Sequence, residues 1–114
     1  IINSEHQARL WHNYACKFQK SLKTVIHLDT GMNRMGFSRK EALKFYKNLD
    51  SYYFLDIKYI ISHLSCADEK EHFMNIRQLK RFNKISSFVP IIKKSIANSS
   101  GIMLGKDYCM DMVR

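Results

Sequence analysis

The sequence predicts an α/β fold built around a parallel sheet. Three observations predict it. Helix-patterned and strand-patterned stretches alternate along the chain. Two strand candidates, TVIHL and KYIIS, are nearly continuous apolar runs, as strands buried on both faces are. All four glycines fall in two segments, each following a strand candidate. Glycine permits positive φ and close approach to the backbone, so such segments suit sharp loops at strand ends.

Ser4 followed by Gln7 is a capping-box pattern that opens the first helix. Leu10, Trp11, Tyr14 and Phe18 follow at helical spacing and are assigned to the core. TVIHL, Thr24 to Leu28, is rich in β-branched residues and reads as a strand. The loop DTGMNRMGF follows it. Ser38 with Glu41 forms a second capping box, and Leu43, Phe45, Tyr46 and Leu49 carry a short second helix. LDIKYIIS, Leu55 to Ser62, is the second strand; His63 and the polar loop CADEKEH come after it. Asn75 with Gln78 is assigned as the cap of a third helix, whose Ile76, Leu79, Phe82 and Ile85 face a core. Pro90 lies beyond that helix. SIAN, Ser95 to Asn98, reads as a third strand, SSGIMLG as a turn or helical loop, and CMDMVR as a closing strand. Four strands cannot close a barrel; they suit half of one, or a small open sheet.

Length and composition narrow the function. The 114 residues suffice for one small domain, and 46% hydrophobic with 25% charged residues is ordinary for a globular protein. The apolar runs are too short to span a membrane, and no signal peptide is visible. The start at Ile1 and the stop at Arg114, just after an apolar stretch, read as a piece of a longer polypeptide. Cys16, Cys66 and Cys109 are far apart and lack a CxxC pair, which fits free thiols in a cytoplasmic protein rather than a disulfide framework or a zinc site. The net charge of +9 raises nucleic-acid binding. Its densest stretch, RQLKRFNK at Arg77 to Lys84, comes with no recognised nucleic-acid motif, so a solvated basic surface is preferred.

The unusual residues gather just past strand candidates: Asp29 to Gly36, His63, Asn98 to Gly101, and Arg114. In parallel α/β folds that edge carries the active site. Ser99, Ser100 and Gly101 at the start of a helical turn can offer N–H groups and hydroxyls to a phosphate.

Taken together, HLDTGMNRMGF, ISHLSCADE, NIRQLKRF, ANSSGIMLG and DMVR, in this order and spacing, resemble alanine racemase. The resemblance covers essentially the whole chain. It implies the middle-to-late strands of an N-terminal (β/α)₈ TIM-type barrel that binds pyridoxal 5'-phosphate. It also implies a homodimer, a further C-terminal β domain outside residues 1–114, and interconversion of L- and D-alanine for peptidoglycan.

The resemblance assigns roles by position. Arg34 matches the arginine on the cofactor's phenolic oxygen, Ser99 the serine on its phosphate, and Arg114 the arginine facing its ring nitrogen. His63 matches the histidine that orients that arginine. At the position where many family members carry a carbamylated lysine supporting the DTGMNR arginine, this chain has His27, leaving Asp29 as the nearest candidate support. The family's Schiff-base lysine motif and its tyrosine base are not found among these residues, so this polypeptide alone is expected to be inactive. Two alternatives stand beside this reading. One is a non-catalytic product of a degraded or split reading frame; the other is a small basic nucleic-acid-binding module.

Overall fold

The computed structural model describes residues 1–114. Three strands, β1 (Leu22–His27), β2 (Leu55–Ile61) and β3 (Lys93–Ser95), form a parallel sheet in the order β1-β2-β3. Ile2 extends it on the β1 side: its N–H donates to the Val25 carbonyl at 2.8 Å, and its carbonyl accepts from His27 N–H at 3.0 Å. Three helices alternate with the strands: α1 (Glu5–Phe18), α2 (Arg39–Lys47) and α3 (Phe73–Ser86). The parallel α/β class expected from the alternation is therefore the one observed. Register slips once, between Thr24 and Val25. Thr24 pairs with Ile57 and Val25 with Tyr59, so Lys58 bulges from β2 without a partner.

Both capping patterns hold. Ser4 Oγ accepts from Gln7 N–H, while the Gln7 side chain reaches one residue further back, to Asn3 N–H at 2.7 Å. Ser38 and Glu41 bond reciprocally, which holds the Glu41 carboxyl below its ordinary pKa.

Four details differ from the sequence reading. The third helix starts earlier: His72 caps Met74 N–H, and Asn75 and Gln78 lie inside the helix, at most 1% exposed. Their neighbours Phe82 and Ile85 are buried as expected, but Ile76 faces outward. The third strand ends at Ser95 instead of beginning there, because Ile92 and Pro90 belong to the preceding turn and pairing with Tyr59 begins at Lys93. CMDMVR is not a strand. The Asp111 carboxylate takes the Lys94 N–H at 2.8 Å, which a neighbouring strand would have used, and Met110 adopts positive φ. The segment still lies beside β3, through Asp111 N–H to the Lys94 carbonyl and Arg114 N–H to the Ala97 carbonyl.

The fourth difference concerns α1. Leu10, Trp11, Tyr14 and Phe18 are exposed, and the helix packs through Ala8 and Ala15. Small side chains let its backbone approach the sheet closely, so the large ones are left pointing away. The core lies instead between the sheet and α2 and α3, around Ile26, Leu28, Phe37, Phe45, Ile60 and Phe82.

The loop after β1 folds back on itself. Phe37 N–H donates to the His27 carbonyl at 2.8 Å, and Asp29 N–H to the Phe37 carbonyl at 2.9 Å. Gly36 makes this return possible. Its φ is +110°, and a Cβ there would lie 2.7 Å from Asp29 N and 2.9 Å from the Leu28 carbonyl carbon. Gly36→Ala is therefore expected to destabilise the fold by about 2 kcal/mol, read as a lower urea midpoint at unchanged slope.

Candidate active site at the carboxyl edge of the sheet

Each loop that leaves the carboxyl edge is ordered by neutral groups. Besides Asp111, already placed on the Lys94 N–H, the anion involved is Asp29. Its Oδ1 accepts from Gly31 N–H at 2.9 Å and Asn33 N–H at 3.1 Å, an Asx-type turn that shapes the loop carrying Arg34. Asp29 makes no ion pair with Arg34: the chain's two ion pairs are Lys44–Glu5 and Lys58–Asp56. Asp29 thus serves the backbone and is not the support of Arg34 that its proximity suggested.

Gln78, fully buried on α3, joins two loops. Its Oε1 accepts from Ser65 N–H and Ser65 Oγ, both at 2.9 Å. Its Nε2 donates to the His63 carbonyl at 2.8 Å and to Thr30 Oγ1 at 3.2 Å. Thr30 Oγ1 meets Ser62 Oγ at 2.8 Å, and Ser62 Oγ donates to the Leu28 carbonyl at 2.8 Å. Asn98 repeats the device, donating to the Leu64 carbonyl and accepting from Gly101 N–H at 2.8 Å.

His27, at the end of β1, is 6% exposed and lies 2.8 Å through Nδ1 from Asn3 Oδ1. The amide oxygen only accepts, so Nδ1 carries the proton and Nε2 holds the lone pair in the neutral ring. His27, Arg34 and His63 line one narrow crevice, with Met32 and Met35 closing it. Arg114 joins them from the chain end, its guanidinium donating to the Ser62 carbonyl at 3.4 Å. Burial first, then the charges of Arg114, His63 and Arg34, push the His27 pKa down; Asp29 opposes this. Burial, then Arg34 and Arg114, push His63 down as well. Both imidazoles are therefore held neutral beside two guanidiniums.

Of the residues singled out in sequence, Arg34, His63 and Arg114 come together with His27. Ser99 does not enter that crevice. It stands at the same edge, exposed, at the start of the 3-10 helix Ser100–Leu104, with its hydroxyl making no capping bond. The Gly101 N–H offered to a phosphate is already taken by Asn98. A separate groove of about 480 Å³ lies behind the loop, between Asp29, Arg39 and Arg81. Arg81 is tied there to the Thr30 carbonyl at 3.1 Å, with Lys84 beside it in the groove, while Arg77 and Lys80 of RQLKRFNK are exposed.

Sequence reasoning missed Asn3, Thr30, Ser62 and the inward role of Gln78. For Gln78 a signal existed: stepping back one helical turn from Phe82 lands on it, and another lands near Asn75.

Guanidiniums without carboxylate partners thus gather at the carboxyl edge of a parallel sheet, the edge at which α/β folds carry their sites. The chain belongs to the alanine racemase N-terminal domain family, whose sequence profile matches residues 1–114. It is 36% identical over 114 residues to the alanine racemase of Rickettsia felis, covering 100% of this chain and 25% of that protein. It is 38% identical to that of Rickettsia canadensis, covering 100% of this chain and 32% of the relative. The alanine racemase of Bartonella henselae, solved with covalently bound pyridoxal phosphate, superimposes with a TM-score of 0.92 at 37% identity, over 99% of this chain and 33% of that one. The chain thus spans about a quarter to a third of the length of the relatives it matches.

Two outcomes follow from this geometry. Gln78→Leu keeps the volume but leaves the Thr30, His63 and Ser65 groups unpaired. It is expected to cost about 3 kcal/mol, measured by urea denaturation. The histidines make stability depend on pH. Their folded pKa values lie below the ordinary 6.5, so the unfolded chain takes up protons first as pH falls. This contribution is complete well above 6.5 and is lost as pH drops from there through the folded values. His27→Gln should flatten that part of the stability–pH curve.

Proposed function

We propose that these residues form part of a pyridoxal-phosphate-dependent alanine racemase, an isomerase interconverting L- and D-alanine. On this reading residues 1–114 supply middle-to-late strands of its N-terminal (β/α)₈ barrel. The observation that carries it is the meeting of Arg34, Arg114, His27 and His63 at the carboxyl edge, with no carboxylate paired to either guanidinium. That donor set fits the cofactor: an anionic, phosphate-bearing ring needs hydrogen-bond donors and positive charge. The PLP-bound Bartonella henselae relative supports the same choice. From membership of the family we further propose a cytoplasmic homodimer that supplies D-alanine for peptidoglycan; no helix is long and apolar enough to cross a membrane.

When bound, the cofactor withdraws electrons from the substrate's Cα and so acidifies its proton. The chain's own residues bind and orient. Arg34 would donate to the phenolic oxygen, close to the substrate carboxylate. The Ser99 hydroxyl, exposed and free, would donate to the phosphate. Arg114 cannot lose its proton near neutral pH, so a ring nitrogen facing it must accept a hydrogen bond and stay unprotonated. The ring then draws less charge, and the proton returns to Cα in preference to the cofactor. His63, held neutral, can accept from the Arg114 guanidinium and orient it. The lysine and tyrosine bases that racemisation requires on opposite faces of Cα are not among the motifs of residues 1–114, so the 114-residue polypeptide by itself should be inactive.

The test uses the natural polypeptide that carries this sequence, loaded with pyridoxal phosphate. It should convert L-alanine to D-alanine, and Arg34→Ala should lower kcat/KM about a hundredfold. Arg114→Glu should divert turnover toward pyruvate. Retained activity in Arg34→Ala together with unchanged product in Arg114→Glu would overturn the assignment.

A further inference from the structure

A second cluster of reactive groups lies at the other end of the sheet. α1 runs back from Ile2 to the start of β1, so its second half lies near where β2 begins. There His12 and Cys16 sit one helical turn apart, on one face. Cys16 Sγ is 3.3 Å from His12 Nε2 and 3.9 Å from the Tyr53 hydroxyl. The His12 ring stands edge-to-face with Tyr52 and Tyr53, centroids 5.6 and 5.0 Å away. Its Nδ1 is buried without a hydrogen-bond partner.

The chain contains its own controls. Cys16, Cys66 and Cys109 are all half-buried free thiols. Cys66 Sγ meets Ser65 Oγ at 3.4 Å, and Cys109 Sγ meets the Gly105 carbonyl at 3.7 Å. Neither a hydroxyl nor a carbonyl takes up a thiol proton near neutral pH, whereas an imidazole does. Cys16 alone pairs a nucleophile with a base.

We propose that Cys16 is a redox-modification site, oxidised by hydroperoxides with His12 as the base. Sulfur attacks one peroxide oxygen; an S–O bond forms and the O–O bond breaks. The thiol proton passes to His12 Nε2 and then to the departing oxygen, which leaves as water or alcohol. Sulfur loses two electrons to become a sulfenic acid, and the peroxide gains the same two. The site stands apart from the cluster of Arg34 and Arg114 and does not depend on the function proposed for it.

The test treats the native protein with one equivalent of hydrogen peroxide in the presence of dimedone. Peptide mass spectrometry then quantifies the adduct at each cysteine. Cys16 should be labelled about tenfold faster than Cys66 or Cys109. His12→Gln should bring it down to their level, and so should His12→Phe, which keeps an aromatic ring against Tyr52 and Tyr53. Alkylation of untreated protein by iodoacetamide should rank the thiols in the same order. Equal labelling of the three cysteines in the wild type, or Cys16 labelling unchanged in both His12 variants, overturns the proposal.

Discussion

One buried amide, that of Gln78, ties the loop after β1 to the loop after β2, and the geometry of the carboxyl edge depends on it. A primary amide offers two donors and an oxygen that accepts twice. All of that capacity is used, on Thr30, His63 and Ser65. Because the side chain is 0% exposed, water cannot substitute for a lost partner. Asn98 makes a smaller version of the same connection between Leu64 and Gly101, and Asn3 makes another to His27.

Neutral groups do this positioning, and that has an electrostatic result. Had carboxylates ordered these loops, they would have neutralised the guanidiniums nearby. The carboxylates that do take part are spent on backbone: Asp29 on two N–H groups of its own loop, Asp111 on the Lys94 N–H. Arg34 and Arg114 are left exposed, and their charge, together with burial, keeps both imidazoles neutral. Four nitrogen-rich side chains thus share a small volume with two positive charges instead of four. A fully protonated cluster would strain the fold through self-repulsion. This one can hold its charge in readiness for an incoming anion.

Much of this was legible in the sequence. The capping pairs Ser4–Gln7 and Ser38–Glu41, the apolar strands and the glycines of the Asp29–Gly36 loop each follow from local rules, and each stands where those rules put it. The meeting of Arg34 and His63 followed from reading strand ends as one edge; Arg114 reaches it without the strand expected to carry it, and Ser99 stays outside the crevice. The failures share a cause. Asn75 and Gln78 have the composition of a cap but the periodicity of a core face, and packing overrode local preference. On α1 the large apolar side chains have the right period for a core, yet alanine occupies the face that packs. Period alone does not tell which of two neighbouring stripes turns inward. The strand expected at CMDMVR failed because a side chain, Asp111, took the hydrogen bond that the strand assignment required.

The bulge at Lys58 reaches further than its own hydrogen bonds. Side chains on a strand alternate strictly between two faces, so one residue without a partner changes odd to even for everything downstream. His63 lies five positions beyond it. Between the two, Tyr59, Ile60 and Ile61 would each turn to the opposite layer in a continuously paired strand. A single lysine without a cross-strand partner, midway along β2, therefore decides which layer the end of that strand faces as it hands over to the loop of His63.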